Sequence, residues 1–382
     1  MLLYELRKII FNKGVIILFI LAVVVKLFIA YIFIANADER YNQFYDEYTA
    51  LLYRKTPAQK VEMIEKEKKR LENILFQKDR SNNNLLTEKE YQSQLYMECL
   101  YREQPFKKVA LKVSNVKKAV DLKEFAISGS YLTSINTPDD FMKNLELYKA
   151  APIPDIIPDR GWDFFIYIAK WNFFSILLLV GLSRVFSSEY ESGMHRLLLS
   201  TVKGHGMLFR KKLTAAVIFT SAIAIFFTIL DLSLGATAGP LRGWDAPVCS
   251  LDAFYHFIAN ITIWQYLLIY FLMKLFIGLC SACIILCISS VSKKVYSALT
   301  GGVCVFGISA FVTVSFKGVI DFFLFGIVNV HQLFSNFKTV AIAGIRIPVL
   351  YLSLIFCGIL IVFLIIVTSR RYKVYPKGGS AL

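Results

Sequence analysis

The sequence predicts an all-α polytopic membrane protein. It has six transmembrane helices, both termini cytoplasmic, and a large, mainly helical extracellular insertion between helices 1 and 2. Three observations lead there. Hydrophobic residues make up 56% of the 382 residues, more than a soluble domain of that length carries. Six continuous apolar runs stand out: Gly14–Ile34, Phe164–Leu182, Leu213–Leu234, Ile263–Ser289, Ala298–Phe316 and Pro348–Val367. A run of about 18 apolar residues crosses a bilayer as a helix, and continuous rather than alternating apolarity excludes a barrel strand. Finally, the net charge of +15 is unevenly placed. Residues 35–161 hold 21 Lys or Arg against 20 Asp or Glu, and the remainder holds 22 against 8.

Residues 1–34 contain the first span and what leads into it. In MLLYELRKIIFN, Leu2, Leu3, Leu6, Ile9 and Ile10 form one helical face and Glu5, Arg7 and Lys8 the other. Such a segment lies in the membrane interface; the alternative is that it extends the first helix into water. Ala35-Asn36-Ala37 resembles a signal cleavage site, but the preceding run of about 21 residues exceeds the roughly 7–15 of a signal core. It is read as a span.

Residues 35–161 form the polar extracellular domain. Thr56-Pro57 sets a cap residue before a proline at the first helical position. Val61, Ile64, Leu71, Ile74 and Leu75 then recur at helical spacing. Thr87 with Glu90 fits a capping box for a second helix past Tyr91, Leu95 and Leu100, and a third covers Phe106–Phe125. Asp139-Asp140 reads as a helix cap in a turn. Pro152, Pro154 and Pro158 break the chain before span two.

Residues 162–382 carry spans two to six. Basic clusters precede span one, surround residues 187–212, follow span four and end the chain. All four fall on one side if six helices cross in turn, and the positive-inside rule makes that side the cytoplasm. The basic excess therefore marks orientation, not a nucleic-acid partner. Gly239-Pro240, Trp244 and Pro247 mark a loop at the opposite interface. Segment 317–347 is apolar but interrupted by Asp321, Gly326, Asn329 and His331. A full crossing there would put the basic C-terminus outside, so a re-entrant or outer-leaflet helix pair is expected.

No phosphate loop, HExxH or GxSxG pattern occurs. No His/Cys spacing suits zinc. His195, His205, His256 and His331 have no nucleophile beside them in sequence. No catalytic residue, metal site or cofactor is expected in this chain. Cys280, Cys283 and Cys287 share one helical face and, with Cys304 and Cys357, read as small packing residues. Cys99 and Cys249 alone are expected outside, where a disulfide would persist. Lys26 and Lys274 fall near the middle of their spans, Lys170 and Asp231 nearer the outer ends. A central lysine costs roughly 2.5–3.5 kcal/mol on insertion scales. Two readings of Lys26, Lys274 and Asp231 stay open: a cationic lining of a translocation path, or snorkelling and structural pairing, as of Lys274 with Asp231.

The segment between spans two and three is the most informative. After Ser187-Ser188, a possible cap, Glu189 and Glu191 are expected in a first helical turn, where acids suit the helix dipole. Arg196 and Leu197–Leu199 follow, Lys203-Gly204-His205-Gly206 is expected to break the helix, and Arg210-Lys211-Lys212 meets the lipid boundary. The stretch FSSEYESGMHRLLLSTVKGHGMLFRKKL resembles the second-to-third-span loop of ABC-2 type transporter permeases. Glu189, Gly193, Leu198, Gly204 and Lys212 match that family's order of acid, glycine, leucine-rich turn, glycine and lysine; His205 stands where an arginine is usual. The order of spans and the large outer insertion agree with the resemblance. It implies the transmembrane subunit of an ATP-driven exporter, paired with a second permease subunit, identical or homologous. ATP and Mg²⁺ would be bound by a separate ATPase, onto which the loop docks as a coupling helix through Glu189, Glu191, Gly193, Arg196, Leu197, Leu198, Gly204 and Lys212. The expected cargo is amphipathic, a peptide antibiotic or lipid-like compound, and the expected site a bacterial plasma membrane. Two other classes compete: a non-transporting sensor or scaffold with an extracellular ligand-binding domain, and an ion-coupled secondary transporter.

Overall fold

The structure, a computed structural model, describes residues 2–77, 101–121, 151–171, 173–194, 204–255, 257, 259–315, 331, 339–342 and 345–374. Four helical segments among them are long and apolar enough to cross a membrane: Lys13–Ala35, Arg160–Glu191, Met207–Ala238 and Ile263–Val291. The apolar stretches Val295–Ile308 and Leu354–Arg370 are shorter. The chain divides into two compact units. One takes Met1–Ala30, Phe165–Leu234 and Leu267–Leu382; the other takes Tyr31–Phe164 and Gly235–Tyr266.

The first unit begins with α1 (Leu2–Ile10), whose face of Leu2, Leu6 and Ile9 joins the apolar core. α2 (Lys13–Ala35) is apolar all round. Span two departs from the sequence expectation of one run over 164–182. Helix α6 (Arg160–Ala169) starts four residues earlier and stops in mid-span. There the Lys170 and Trp171 amides close back onto the Tyr167 and Ile168 carbonyls at 3.2 Å each, a tightened last turn. The chain resumes as α7 (Phe174–Leu182) and, after Ser183, α8 (Arg184–Glu191). Then come α9 (Gly204–Ala238), α10 (Ile263–Val291) and α11 (Val295–Ser315). The core fills with Phe174, Leu178, Leu182, Phe186, Phe219 and Phe227. Before the last helix, α12 (Val349–Val374), stands an antiparallel hairpin, β1 (Thr339–Ile342) with β2 (Ile345–Pro348), pairing Thr339 with Pro348 and Ile342 with Ile345. This corrects the expectation of a helix pair over 317–347 for the part described. Val340, Ile342, Ile345 and Ile347 are β-branched and favour an extended chain.

The second unit is built on α3 (Glu39–Leu52), α4 (Pro57–Gln77) and a helix over 101–121, here α5. The Asp38 carboxylate caps α3 by accepting from the Arg40 and Tyr41 amides at 3.0 and 3.2 Å. Thr56 and Gln59 form a reciprocal capping box at the head of α4, amide to side chain both ways at 3.1 and 3.3 Å. Tyr45, Tyr48, Leu52, Leu71, Phe106, Val109 and Val113 make the core. The expected capping box at Thr87 and Glu90, the turn at Asp139-Asp140, and Cys99 lie outside the described residues.

The sequence places the insertion's boundaries at 35–161. The compact unit runs from Tyr31 to Phe164 and also recruits Gly235–Tyr266, which sequence reads as a simple interface loop. Small residues permit the join. A Cβ on Gly161 would sit 2.5 Å from the Gly239 carbonyl oxygen, so the start of α6 and the residue after α9 touch backbone to backbone. The Trp162 indole donates to the Arg242 carbonyl at 2.8 Å, with its ring edge-on to Trp244 at 4.9 Å.

Candidate functional site

Among the described residues the first unit holds two buried charge clusters. One gathers around α8. Its N-terminal amides have no cap from Ser183, the residue at the cap position. Ser289, near the end of α10, supplies one: the Phe186 and Ser187 amides donate to its Oγ at 3.1 Å each, and that hydroxyl donates to the Ser183 carbonyl at 2.7 Å. Orphan helix donors need such partners. At the other end, Gly193 adopts φ +69°, the left-handed backbone that favours glycine just past a helix.

α8 starts at Arg184, not at the expected Ser187-Ser188 cap, so Glu189 and Glu191 fall in its last turn rather than its first. Acids there oppose the helix dipole, and the structure offsets them with cations from other helices. Lys212 of α9 is fully buried, 0% exposed. Its Nζ donates to Glu189 Oε1 at 2.5 Å and to the Val185 carbonyl at 2.7 Å, and lies 3.5 Å from Glu5 of α1. Lys8 of α1 adds a cation 3.6 Å from Glu189. Glu191 accepts from the Val295 amide at the head of α11 at 3.2 Å. Glu189 and Lys212 are thus an internal clasp, not surface contacts presented to a partner. Gly204, His205 and Gly206 open α9, where glycine is tolerated because the first amides are unpaired in any case; the residues before Gly204, which the expected helix break would follow, lie outside the described residues. Arg196, Leu197, Leu198 and His195 lie outside the described residues.

The other cluster joins three spans. Lys26 of α2 is 2% exposed and Asp231 of α9 is 1%. Lys26 Nζ donates to Asp231 Oδ1 at 2.5 Å and to the Ile168 carbonyl at 3.0 Å. That carbonyl belongs to the last turn of α6, where the break in span two exposes acceptors and the dipole favours a cation. Lys274 of α10 lies 3.5 Å from Asp231 Oδ2. Asp231 therefore faces both lysines at once, and the pairing of Lys274 with Asp231 is one of the two readings the sequence left open. Nearby, His331 stacks on Tyr270 at 4.7 Å, with Phe165 edge-on to both.

The second unit has its own hub. Asp159, 0% exposed, accepts from the Tyr45 hydroxyl at 2.7 Å and from Lys112 Nζ. Lys112 also lies 3.0 Å from Asp252, in the segment recruited after α9. Burial and the adjoining Asp159 carboxylate push the Tyr45 phenol far above its ordinary value. Burial works against the Lys112 ammonium, but Asp159 and Asp252 outweigh it and raise its pKa. Asp159, Asp163 and Asp252 bring carboxylate oxygens within 4.8 Å of one another, and the Lys112 ammonium sits among them as counterion. Cys249 is buried and carries a free thiol, pushed up to about 12 by burial. Cys99, the partner the sequence allows for a disulfide, lies outside the described residues.

Sequence reasoning singled out Glu189, Lys212, Lys26, Lys274 and Asp231, but missed Glu5, Lys8 and Ser289 as their partners. Glu5 and Lys8 looked like one polar face of an interfacial helix, and no local signal marks Ser289 as a cap for another helix. No family model, curated protein or solved structure matches the chain.

Proposed function

We propose that this chain is the membrane-spanning permease subunit of an ATP-binding cassette exporter. It crosses the plasma membrane of a bacterium six times with both termini in the cytoplasm, and its second unit lies outside. It works beside a second permease subunit and moves an amphipathic substrate, a peptide antibiotic or lipid-like compound. A separate ATPase binds ATP and Mg²⁺ and docks on the loop between α8 and α9. The observation that carries this reading is the bonding of α8. Side chains or amides of α1, α9, α10 and α11 all bond to that eight-residue helix. A push on the adjoining loop would reach those helices through these contacts, of which the buried Lys212–Glu189 bond at 2.5 Å is charge-assisted and about twice as strong as a neutral one. In this reading Glu189 and Lys212 transmit force and leave the ATPase contact to the loop, with Arg196, Leu197 and Leu198.

An ion-coupled secondary transporter is the second reading. It draws on the broken span two and on Asp231, because such proteins bind cations at broken helices and intramembrane carboxylates. Here Lys26 already fills both positions, which favours the exporter.

The test is a pull-down of the tagged chain from its native membranes in mild detergents. The wild type is expected to bring down an ATPase, and Leu198→Asp to lose it while inserting normally. Glu189→Gln is expected to keep the ATPase but to uncouple hydrolysis from transport. If no ATPase accompanies the wild type, the exporter reading fails. If Leu198→Asp binds as well as the wild type, the loop is not the docking element.

A further inference from the structure

Helix α1 is apolar on two sides. Leu2, Leu6 and Ile9 turn inward and join the core of the first unit. Leu3, Tyr4 and Ile10, with Phe11 just past the helix end, stay outside; Leu3 is 81% exposed and Phe11 66%. The elbow that follows leads directly into the apolar span α2. Three cations gather there. The Arg7 guanidinium lies over the Phe11 ring, 5.7 Å from its centroid. Lys13 is the first residue of α2. Arg184, the first residue of α8, donates through Nη1 to Asn12 Oδ1 at 3.0 Å, and that oxygen also accepts from the Gly14 amide at 3.2 Å. All three cations are exposed.

Among the described residues none of the three is in an ion pair. The first unit has few acids to supply one: Glu5, Glu189, Glu191, Asp231 and Asp321. Glu5 and Glu189 are engaged by Lys212, and Glu189 by Lys8 as well. Asp231 is engaged by Lys26 and Lys274. Glu191 accepts from the Val295 amide, and Asp321 lies outside the described residues. The elbow is thus basic and lacks a countercharge among the described residues, beside a surface suited to hydrocarbon.

We infer that the elbow between α1 and α2 binds the head-group phosphate of an anionic glycerophospholipid. The phosphate oxygens accept from Arg7, Lys13 and Arg184, and each arginine fork can meet two of them at once. The acyl chains lie beside Leu3, Tyr4, Ile10 and Phe11. A helix with basic and aromatic side chains together on its outer face suits the depth of the head groups, and clustered Lys and Arg next to a span suit anionic ones. Carbons packed beside a cation, as Phe11 is beside Arg7, fit the junction of phosphate and chain. A free phosphate ester would meet the same cations but none of that apolar surface, and the continuity of the elbow with α2 favours the lipid. The assignment goes beyond the exporter reading and does not depend on it, since it requires only that α2 lie in a membrane.

The test is equilibrium binding to the full chain in neutral maltoside detergent, with three probes: dihexanoyl phosphatidylglycerol, dihexanoyl phosphatidylcholine and glycerol 3-phosphate. Phosphatidylglycerol is expected to bind saturably. Phosphatidylcholine, whose own cation offsets its phosphate, and glycerol 3-phosphate, which lacks the chains, are each expected to bind at least about tenfold more weakly. Arg7→Gln and Lys13→Gln are each expected to weaken phosphatidylglycerol binding about fivefold, in line with the loss of one cation at a lipid surface. Arg184 is left intact because it also holds Asn12. Lys293→Gln is the control: Lys293 is exposed in the turn between α10 and α11, outside the elbow, and should leave binding unchanged. Should one elbow variant misfold, as judged by size exclusion, the other carries the test. Equal binding by Arg7→Gln, Lys13→Gln and wild type overturns the proposal. So does a loss in Lys293→Gln as large as theirs, which would mark diffuse attraction to a basic face. Equal affinity for phosphatidylglycerol and glycerol 3-phosphate overturns it too, as a plain phosphate site. None of these results requires an ATPase, so failure here and failure of the exporter reading are separately visible.

Discussion

Each unit holds a charge cluster built on one buried aspartate, and the two solve the same problem differently. In the membrane-helix unit, Asp231 holds Lys26 and Lys274, so the cluster has two cations to one anion. In the second unit, Asp159 holds Lys112 and the neutral Tyr45, while Asp252 lies 3.0 Å from the same lysine. There the anions outnumber the cation. A buried charge is tolerated when paired and hydrogen-bonded, and removing one partner costs far more than the pair contributes. The second unit has a spare acid to take over; the first unit's cluster has none among its described contacts. The anion-rich cluster joins segments far apart in sequence, Tyr45, Lys112, Asp159 and Asp252. The cation-rich one fastens three apolar helices that offer few other polar contacts.

The comparison breaks most visibly at Asp231. Asp231→Ala leaves two lysines buried with no carboxylate. It is expected to destabilise the chain by about 3–5 kcal/mol and to cut the yield of inserted protein. Fluorescence-detected size exclusion after stepwise heating measures this, with Asp231→Asn as the milder case that keeps an acceptor for Lys26. A loss below about 1 kcal/mol would mean that the lysines reach water or another anion, and the contrast between the units would be unfounded.

How far this was legible in the sequence differs between the same two regions. Apolar runs announce α2, α9 and α10 because length and continuity are local properties. The amphipathic period of α4, with Thr56 at its head, is local too, and its core-facing Val61, Ile64 and Leu71 stand against the second unit's core. What stayed hidden is long-range. Nothing around Lys26 signals that its partner is 205 residues away. The break in span two was obscured because Lys170 and Asn172 interrupt an apolar run without a Pro or Gly to mark a helix end. The start of α8 was misplaced because Ser187-Ser188 looks like a cap, while the real one comes from Ser289. Gly235–Tyr266 looked like a loop because its role in the second unit depends on Asp252 and Trp244 meeting partners from the other segment.

A smaller effect is expected at Asp159. Asp159→Ala strips Lys112 of one carboxylate and Tyr45 of its acceptor, but Asp252 remains on Lys112. The loss is expected at about 1–3 kcal/mol, the cost of leaving a buried donor short of a partner. Its pH dependence follows from Lys112. A lysine whose pKa is raised on folding contributes stability that is fully present below the unfolded value, about 10.4. That stability is lost only as pH rises through the higher folded value. Lys112's share of the gap between wild type and Asp159→Ala is therefore expected to be flat from about pH 6 to 9 and to fall away only in stronger alkali. A gap that shows no narrowing above about pH 10 would place its origin in other groups.

The smallest effect, and the most discriminating, is expected at Lys274. In the cation-rich cluster Lys26 holds Asp231 at 2.5 Å and Lys274 stands at 3.5 Å, so Lys274 is the looser partner and carries the surplus charge. Lys274→Met keeps an unbranched stem of similar length against Tyr270 and leaves a neutral pair behind. Replacing a buried charge by an apolar group of like volume is commonly neutral or stabilising. Stability to heat is expected to stay within about 1 kcal/mol of wild type or to rise. Lys26→Met, by contrast, removes the tighter partner and takes from the Ile168 carbonyl its charged donor, leaving only the Trp171 amide among the described residues, so it should lower the midpoint of heat-induced loss. If Lys274→Met fell as far as Asp231→Ala, the surplus cation would have to be answered by an anion beyond Asp231. The two units would then differ in where their countercharges lie and not in how many they have.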